Sequence, residues 1–254
     1  MHFAPDHSIW TARSSVCIMP YIQHDEFKPT FHKMKLVGIK YYMKSLFTAL
    51  QQLHRFKILH RDVKPSNFLY NIRKRAGYLI DFRLAERQQC IFYYNIGRSR
   101  FKQSDQRVIK NDPRLTIKAN RTGTRGFRAP KILMRVTHQT CAIDVWAASV
   151  ILLCFLTNTY PFFLSNDEAD ALIELSQVYG LDKMQECARI NSKFPKAKLP
   201  WTGLIEALNK EKMQTWSQKD YGDAIMLLRR TMELDPNKRI TAEEALKMDF
   251  LQVD

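Results

Sequence analysis

Four polar residues in the first third of the chain have the types and spacing that phosphoryl transfer requires. Residues 60–70 read HRDVKPSNFLY, and a second Asp precedes Phe82. In such a set Asp62 would accept or orient a substrate hydroxyl, and Lys64 would neutralise charge on the transferring phosphoryl group. Asn67 and Asp81 carry the oxygen ligands that Mg²⁺ takes, so the spacing predicts that they hold this metal.

Several predicted elements would position these residues. Apolar residues recur with helical spacing between Leu36 and Phe56, which predicts an amphipathic helix with one buried face. Its expected buried residues are Ile39, Tyr42, Met43, Leu46, Phe47, Leu50 and Leu53. A hairpin-like segment around Gly77 leads to Asp81. The apolar run 144–157 predicts a buried central helix, and Thr241 is expected to cap a short helix, with Glu three residues later.

The catalytic set resembles that of protein kinases. This resemblance implies an α+β, protein-kinase-like fold made mainly of the helical large lobe, with residues 23–254 forming that lobe. Residues 1–22 would be a remnant of the small lobe, because Asp62 follows Met1 by only 61 residues and no GxGxxG loop occurs. We therefore expect the chain alone to bind ATP weakly and to have low activity or none.

The start of the chain predicts two short strands and a hinge. Residues 8–19 read as strands around a polar turn, and Pro20 breaks the pattern. By resemblance, Met19 would guard the back of the nucleotide pocket. The backbone of Pro20, Tyr21 and Ile22 would face the adenine.

The 254-residue chain is basic, with a formal charge of +15 and 45% hydrophobic residues. The charge favours acidic partners, either protein segments or nucleic acid. Five widely spaced cysteines fit reduced thiols better than a zinc site or disulfides. The longest apolar run, 145–156, is shorter than the roughly 20 residues of a membrane helix, and no signal peptide is evident, so a soluble intracellular protein without a membrane partner is expected.

Residues 84–121 read as an enlarged, basic activation segment. They hold nine Lys or Arg, three acids and one Gly, with the run IFYY at 91–94 near the start. Basic residues mixed with aromatic residues can bind single-stranded nucleic acid. A solvated insert is the alternative, and it needs no ligand.

Further motifs resemble a particular kinase family, the cell-division-cycle-seven kinases. They are residues 63–71, GFRAP at 126–130, QTCAIDVW at 139–146 and NTYPFF at 158–163. The resemblance implies a nuclear Ser/Thr kinase, with the cytoplasm as the alternative location. It also implies a Dbf-four-type regulatory subunit and acidic substrates such as replicative helicase tails.

The resemblance also assigns roles to individual residues. Lys64 favours Ser/Thr over Tyr substrates, and Thr124 would hydrogen-bond Asp62 and Lys64. Arg61 would pair with a phosphate or carboxylate on the activation segment. The carboxylate of Asp144 would anchor the backbone of the HRD turn. Each of these contacts could instead be structural, in a fold that is no longer catalytic.

The sequence also departs from the kinase pattern. Arg83 replaces the Gly after Asp81-Phe82, where a positive φ would cost on the order of 1–2 kcal/mol. Lys131 replaces a Glu that pairs with the Arg at position 239, and two buried cations cannot face each other unpaired. We therefore expect the two side chains to point apart or an acid, Glu243 or Glu244, to intervene. Other replacements are Arg125 for Pro, Ala147 for Ser and Ser149 for Gly.

These observations leave three hypotheses open. The chain could be an active or conditionally active Ser/Thr kinase that acts in the cell cycle or DNA replication. It could be a pseudokinase that serves as a partner-binding scaffold through its large lobe. It could also be a basic nucleic-acid-binding protein that reuses the fold, which a salt-dependent DNA affinity would indicate.

Overall fold

The computed structural model of the protein describes residues 7–10, 15–18, 20–88, 123–134, 139–180, 183–184 and 201–253. The helices in these ranges are α1 Phe27–Phe31, α2 Leu36–Arg55, α3 Pro130–Leu133, α4 Ala142–Thr157, α5 Glu168–Tyr179, α6 Trp201–Met213, α7 Gln218–Thr231 and α8 Ala242–Leu246. The strands are β1 His7–Trp10, β2 Ser15–Ile18, β3 Ile58–Leu59, β4 Phe68–Asn71, β5 Ala76–Leu79 and β6 Glu86–Arg87. Short 3₁₀ turns span Pro65–Asn67, Phe82–Leu84 and Asp249–Leu251.

The strands within the described ranges form three antiparallel pairs. β1 pairs with β2 in the register His7 to Ile18, which confirms the two strands predicted for residues 8–19. β3 pairs with β6 and β4 pairs with β5. Most of the predicted basic segment 84–121 lies outside the described residues.

Helix α2 presents one apolar face to the core. All seven apolar residues that the sequence places on its buried side are 2% exposed or less. Its last turn carries His54 and Arg55, side chains that can interact favourably with the negative end of the helix dipole. The helix ends at Arg55, with Phe56 as its C-cap, so the amphipathic helix predicted between Leu36 and Phe56 is confirmed.

Helix α4 is the central element of the core. Every residue from Ile143 to Thr157 is buried, which fits its almost uninterrupted apolar sequence. Asn158 follows with a φ of 52° and ends the helix in a left-handed conformation. The Nδ2 of Asn209 donates to the carbonyl of Leu156 at 2.8 Å, so one terminal carbonyl keeps a partner. No helix within the described residues is long and apolar enough to span a bilayer.

The β4–β5 hairpin brings two predicted metal ligands to one end of the fold. Phe68 pairs with Leu79, and the N–H of Ile80 donates to the carbonyl of Asn67 at 3.0 Å. Asn67 precedes β4 and Asp81 lies just beyond β5, so both residues emerge at the same end.

The hairpin-like segment predicted around Gly77 is confirmed as the β4–β5 hairpin. Gly77 lies within β5, opposite Tyr70, and the turn lies before it at residues 72–75. A Cβ at this position would lie 2.2 Å from Cζ of Phe68. Gly77 is therefore needed for close packing of the Phe68 ring.

Candidate active site

The catalytic loop is fixed by one buried carboxylate at the start of α4. Asp144 accepts hydrogen bonds from the backbone N–H groups of His60 and Arg61, both at 2.8 Å. It also lies 3.0 Å from Nε2 of His54, at the end of α2. Arg61 has a φ of 69°, an uncommon conformation for a non-Gly residue that the two backbone bonds hold in place. The anchoring contact predicted for Asp144 is thus present.

Asp62 is the centre of a compact polar network. Its Oδ1 accepts a hydrogen bond from Oγ1 of Thr124 at 2.7 Å, and its Oδ2 lies 2.8 Å from Nζ of Lys64. Lys64 also donates to Oγ1 of Thr124 at 2.7 Å. The Nδ2 of Asn67 donates to Oδ2 of Asp62 at 3.0 Å and to its backbone carbonyl at 2.9 Å. The four residues predicted as catalytic are therefore in direct contact.

The network keeps Asp62 ionised. Burial raises the pKa of the Asp62 carboxyl, but hydrogen bonds from Lys64 and Thr124 and the charge of Lys64 together lower it below its ordinary value. A carboxylate that stays ionised at neutral pH can accept a hydrogen bond from a hydroxyl or take its proton.

Asp81, the second predicted metal ligand, adopts a left-handed conformation with φ 65° and ψ 68°. Its two carboxylate oxygens accept hydrogen bonds from Nε and Nη2 of Arg83, both at 2.7 Å. This hydrogen-bonded pair with Arg83 lowers the pKa of Asp81 to about 2. The carboxylate of Asp81 and the amide of Asn67 fit Mg²⁺ by donor type, although Arg83 engages both Asp81 oxygens.

The condition for backbone strain at Arg83, a positive φ at that residue, is not met. The positive φ in this segment belongs to Asp81, while Arg83 lies inside the 3₁₀ turn Phe82–Leu84. A side chain at position 83 is therefore compatible with the backbone. The effect of replacing Gly is instead the contact between Arg83 and Asp81, which the backbone argument did not anticipate.

Arg61 pairs with a carboxylate on the activation segment, as the resemblance implied. Its Nη1 donates to Oε2 of Glu86, and its Nε donates to Oε1 of Gln139 at 3.2 Å. Pairing of β6 with β3 places Glu86 opposite Leu59, next to the catalytic loop. A fixed carboxylate thus occupies the partner position that a phosphate could take.

The chain after the predicted hinge is hydrogen-bonded to strand β4 of the β4–β5 hairpin. The N–H of Asp25 donates to the carbonyl of Tyr70 at 2.9 Å, and Nδ2 of Asn71 donates to the carbonyl of Gln23 at 3.1 Å. These bonds hold the chain just after the predicted adenine-facing residues Pro20, Tyr21 and Ile22 against the end of β4. The side chain of Tyr21 is 87% exposed. Met19 lies outside the described residues, and nucleotide contacts at positions 19–22 stay predictions.

The acids proposed to separate Lys131 from Arg239 do not do so. Glu244 accepts a hydrogen bond from Thr241 N at 2.7 Å in the predicted capping box, and Glu243 contacts Lys247 at 3.1 Å. Capping is the shorter-range use of a carboxylate in a first helical turn, so Glu244 stays with its own helix.

Arg239 instead uses backbone carbonyls. It is buried and donates to the carbonyl groups of Glu233 at 2.7 Å, Ala142 at 2.8 Å and Leu234 at 3.3 Å. Its guanidinium also lies 4.9 Å from the centre of the Trp146 ring. Lys131 is half-buried, and burial followed by the charge of Arg239 lowers its pKa, with Asp235 acting in the opposite direction.

Sequence reasoning missed two residues of the site. His54 contacts the anchoring carboxylate, yet its position at the end of an amphipathic helix gives no sign of that role. Glu86 was not singled out as the partner of Arg61. Its signal was available, since it is the first acid after Asp81 in a basic segment.

Comparison with known proteins agrees with this geometry. The protein kinase domain family matches residues 7–251. The cell cycle serine/threonine-protein kinase hsk1 of Schizosaccharomyces pombe is 36% identical over 93% of this chain, and the cell cycle protein kinase spo4 of the same yeast is 35% identical over 92%. The probable cell division control protein 7 homolog 2 of Encephalitozoon cuniculi is 34% identical over 92% of this chain and 71% of its own length. The chain spans 52% of the length of hsk1 and 62% of that of spo4.

Proposed function

Because this chain belongs to the protein kinase family, and within it to the cell division control protein 7 kinases, we propose that it transfers the γ-phosphate of ATP to Ser or Thr residues of proteins. The observation that carries the proposal is the network of Asp62, Lys64, Asn67 and Thr124. Lys64, Asn67 and Thr124 each lie within hydrogen-bond distance of Asp62, so a base, a cation and a metal ligand are brought together.

The geometry suits a hydroxyl nucleophile. An ionised carboxylate has about four lone-pair positions, and Thr124, Lys64 and Asn67 use three of those on Asp62. The remaining position on Oδ1 can accept the hydrogen bond of a Ser or Thr hydroxyl and orient its oxygen for attack. Lys64 would hold the transferring phosphoryl group next to that oxygen, since its ammonium already contacts the base.

Two residues would hold the metal. Mg²⁺, when bound, would offset negative charge on the phosphate oxygens. Asn67 and Asp81 are suited to hold it because the β4–β5 hairpin brings them to one end. The contact with Arg83 uses one lone pair on each Asp81 oxygen and places a positive charge beside them, so it would oppose direct metal binding.

The proposed biological role follows the relatives. Two of them are named as cell cycle kinases and one as a probable cell division control protein. We extend this to control of DNA replication in the nucleus, with a Dbf-four-type regulatory subunit and acidic substrates such as replicative helicase tails. The formal charge of +15 supports acidic substrates, because it would raise encounter rates with them.

A second candidate function is a partner-binding scaffold without catalysis. The contact of Arg83 with both oxygens of Asp81 favours it, because that contact competes with metal binding. The presence of Lys131 in place of the Glu of the kinase pattern also favours the scaffold function. A nucleic-acid-binding role is the third candidate and is supported by charge alone.

The test is a phosphorylation assay with radiolabelled ATP on a Ser-containing acidic peptide, with and without a co-expressed Dbf-four-type subunit. We expect phosphate incorporation in the complex. Asp62→Asn should abolish turnover and leave nucleotide binding nearly intact, because the amide keeps the shape of the carboxylate and loses its basicity. Equal incorporation by the complex and by its Asp62→Asn form would refute a catalytic role for Asp62. No incorporation by either, with the complex intact, would favour the scaffold.

A further inference from the structure

Arg83 makes a contact that the kinase pattern does not contain. Its guanidinium forms two parallel hydrogen bonds with the carboxylate of Asp81, Nε to Oδ1 and Nη2 to Oδ2, both at 2.7 Å. Such a paired geometry satisfies a carboxylate more completely than a single ammonium contact can. Both oxygens that a metal would use therefore already have a cationic partner from the same chain.

We infer that the guanidinium of Arg83 competes with divalent metal for the carboxylate of Asp81 and so lowers the metal affinity of the site. The inference rests on the proposed function, because it takes Asp81 as a metal ligand. It goes beyond that function by assigning a role to the one residue that differs from the kinase pattern at this motif.

Local geometry explains why position 83 can do this. Asp81 and Arg83 flank Phe82 at the start of a 3₁₀ turn, and the left-handed backbone of Asp81 precedes that turn. The long Arg side chain can then fold back onto the carboxylate two residues earlier. The glycine of the kinase pattern has no side chain, so the competition would be specific to chains with a cation at this position.

The competition should be partial. The Arg83 side chain is 86% exposed and that of Asp81 is 21% exposed. Exposed ion pairs are screened by water and contribute little, so a metal ion with two charges can displace the guanidinium. We therefore expect removal of Arg83 to raise the affinity for divalent metal by up to about fivefold rather than by orders of magnitude.

A paired contact must be distinguished from a general charge effect. Removing any nearby positive charge would raise cation affinity through the electrostatic field. Arg83→Lys keeps the charge but cannot form two parallel bonds with one carboxylate. If the paired contact is the cause, its metal affinity should lie closer to that of Arg83→Ala than to that of the unmodified protein.

The experiment measures Mn²⁺ binding to the full 254-residue chain by proton relaxation enhancement, without nucleotide and without an activity readout. The variants are Arg83→Ala, Arg83→Lys and Asp81→Asn, and Arg230→Ala, at an exposed position on α7, is the matched control for lost charge. Unchanged circular dichroism would establish that each variant is folded.

We expect tighter Mn²⁺ binding for Arg83→Ala and Arg83→Lys, weaker binding for Asp81→Asn, and no change for Arg230→Ala. Unchanged binding in Arg83→Ala, together with weaker binding in Asp81→Asn, would overturn the inference and leave the proposed function standing. Tighter binding in Arg83→Ala alone, with Arg83→Lys like the unmodified chain, would also overturn it in favour of a field effect. If no form binds Mn²⁺, both the inference and the metal site of the proposed function fail.

Discussion

The positive charge of Lys131 is repelled by the positive charge of Arg239. Lys131 is half-buried, and the charge of the buried Arg239 acts on it where the kinase pattern has a carboxylate. We predict that Lys131→Glu increases the free energy of unfolding by about 1 kcal/mol, since attraction replaces repulsion at a partly shielded site. Thermal and urea denaturation would measure the change. Lys74→Glu, at an exposed turn position, is the matched control, and an unchanged midpoint for Lys131→Glu would mean that the site is already adapted to Lys131.

The lowered pKa of Lys131 predicts that the stability of the protein depends on pH. Burial, and then the charge of Arg239, lowers the pKa of Lys131 from its ordinary value of 10.5. Between the lowered pKa of the folded state and 10.5, the unfolded chain therefore binds more protons at Lys131 than the folded chain does. In this pH window the stability rises with pH. We expect the unmodified protein to gain stability relative to Lys131→Met as the pH rises toward 10.5. Urea denaturation of both proteins at several alkaline pH values would test this, and a constant difference would contradict it.

The catalytic loop depends on α4 through one carboxylate. Asp144 is 1% exposed and accepts from two backbone N–H groups, with His54 as a third neighbour. Asp144→Ala would leave these buried groups without their acceptor, so we predict a loss of about 3 kcal/mol or more in unfolding free energy. Asp144→Asn should lose less because its amide keeps one oxygen. Denaturant titration would measure both, with Glu211→Ala on the exposed side of α6 as the control, and an Asp144→Ala midpoint like that of the control would refute the prediction.

The β4–β5 hairpin depends on the absence of a side chain at position 77. A Cβ there would lie 2.2 to 2.8 Å from three atoms of the Phe68 ring. We predict that Gly77→Ala lowers the unfolding free energy by about 1–3 kcal/mol, because overpacking forces the ring or the strand to move.

Two further variants test this cause. Gly222→Ala on α7 meets no atom within 4 Å and should stabilise the protein by about 1 kcal/mol through helix propensity. Phe68→Leu combined with Gly77→Ala should cost less than the sum of the single changes, because the clash is shared. Additive costs would indicate that the strand backbone, rather than the ring, is the source.

The elements that the sequence predicts well are those with strong local patterns. Helices α2 and α4, the cap at Thr241 and the anchor at Asp144 follow from periodicity, capping chemistry or motif position. The misassigned features depend on contacts between distant residues or on side-chain choice. Arg239 donates to backbone carbonyls from two segments rather than pairing with Glu243 or Glu244, and Arg83 pairs with Asp81. Such choices cannot be determined from spacing alone.

At the scale of the whole molecule, the excess of 40 Lys and Arg over 25 Asp and Glu is the dominant feature. It attracts acidic proteins and nucleic acids alike, so charge by itself does not distinguish the kinase and nucleic-acid hypotheses. The salt dependence of the affinity for one ligand does not distinguish the two hypotheses either, because peptide binding and DNA binding should both weaken as salt rises. The two hypotheses differ in whether affinity follows the chemistry of the ligand or only its charge.

We predict that the protein binds an acidic Ser-containing peptide more tightly than single-stranded DNA of the same net charge. In the proposed kinase a substrate peptide would also contact Asp62 and Thr124, whereas DNA would bind mainly through its phosphates. Fluorescence anisotropy at several salt concentrations would measure both affinities, which should fall as salt rises.

Arg128→Ala, next to the catalytic network through its contact with the carbonyl of Gly123 at 3.0 Å, should weaken peptide binding more than DNA binding. Lys74→Ala, an exposed Lys in the hairpin turn, is the control for charge. Tighter binding of DNA, with equal effects of both variants, would favour the nucleic-acid-binding protein over the kinase.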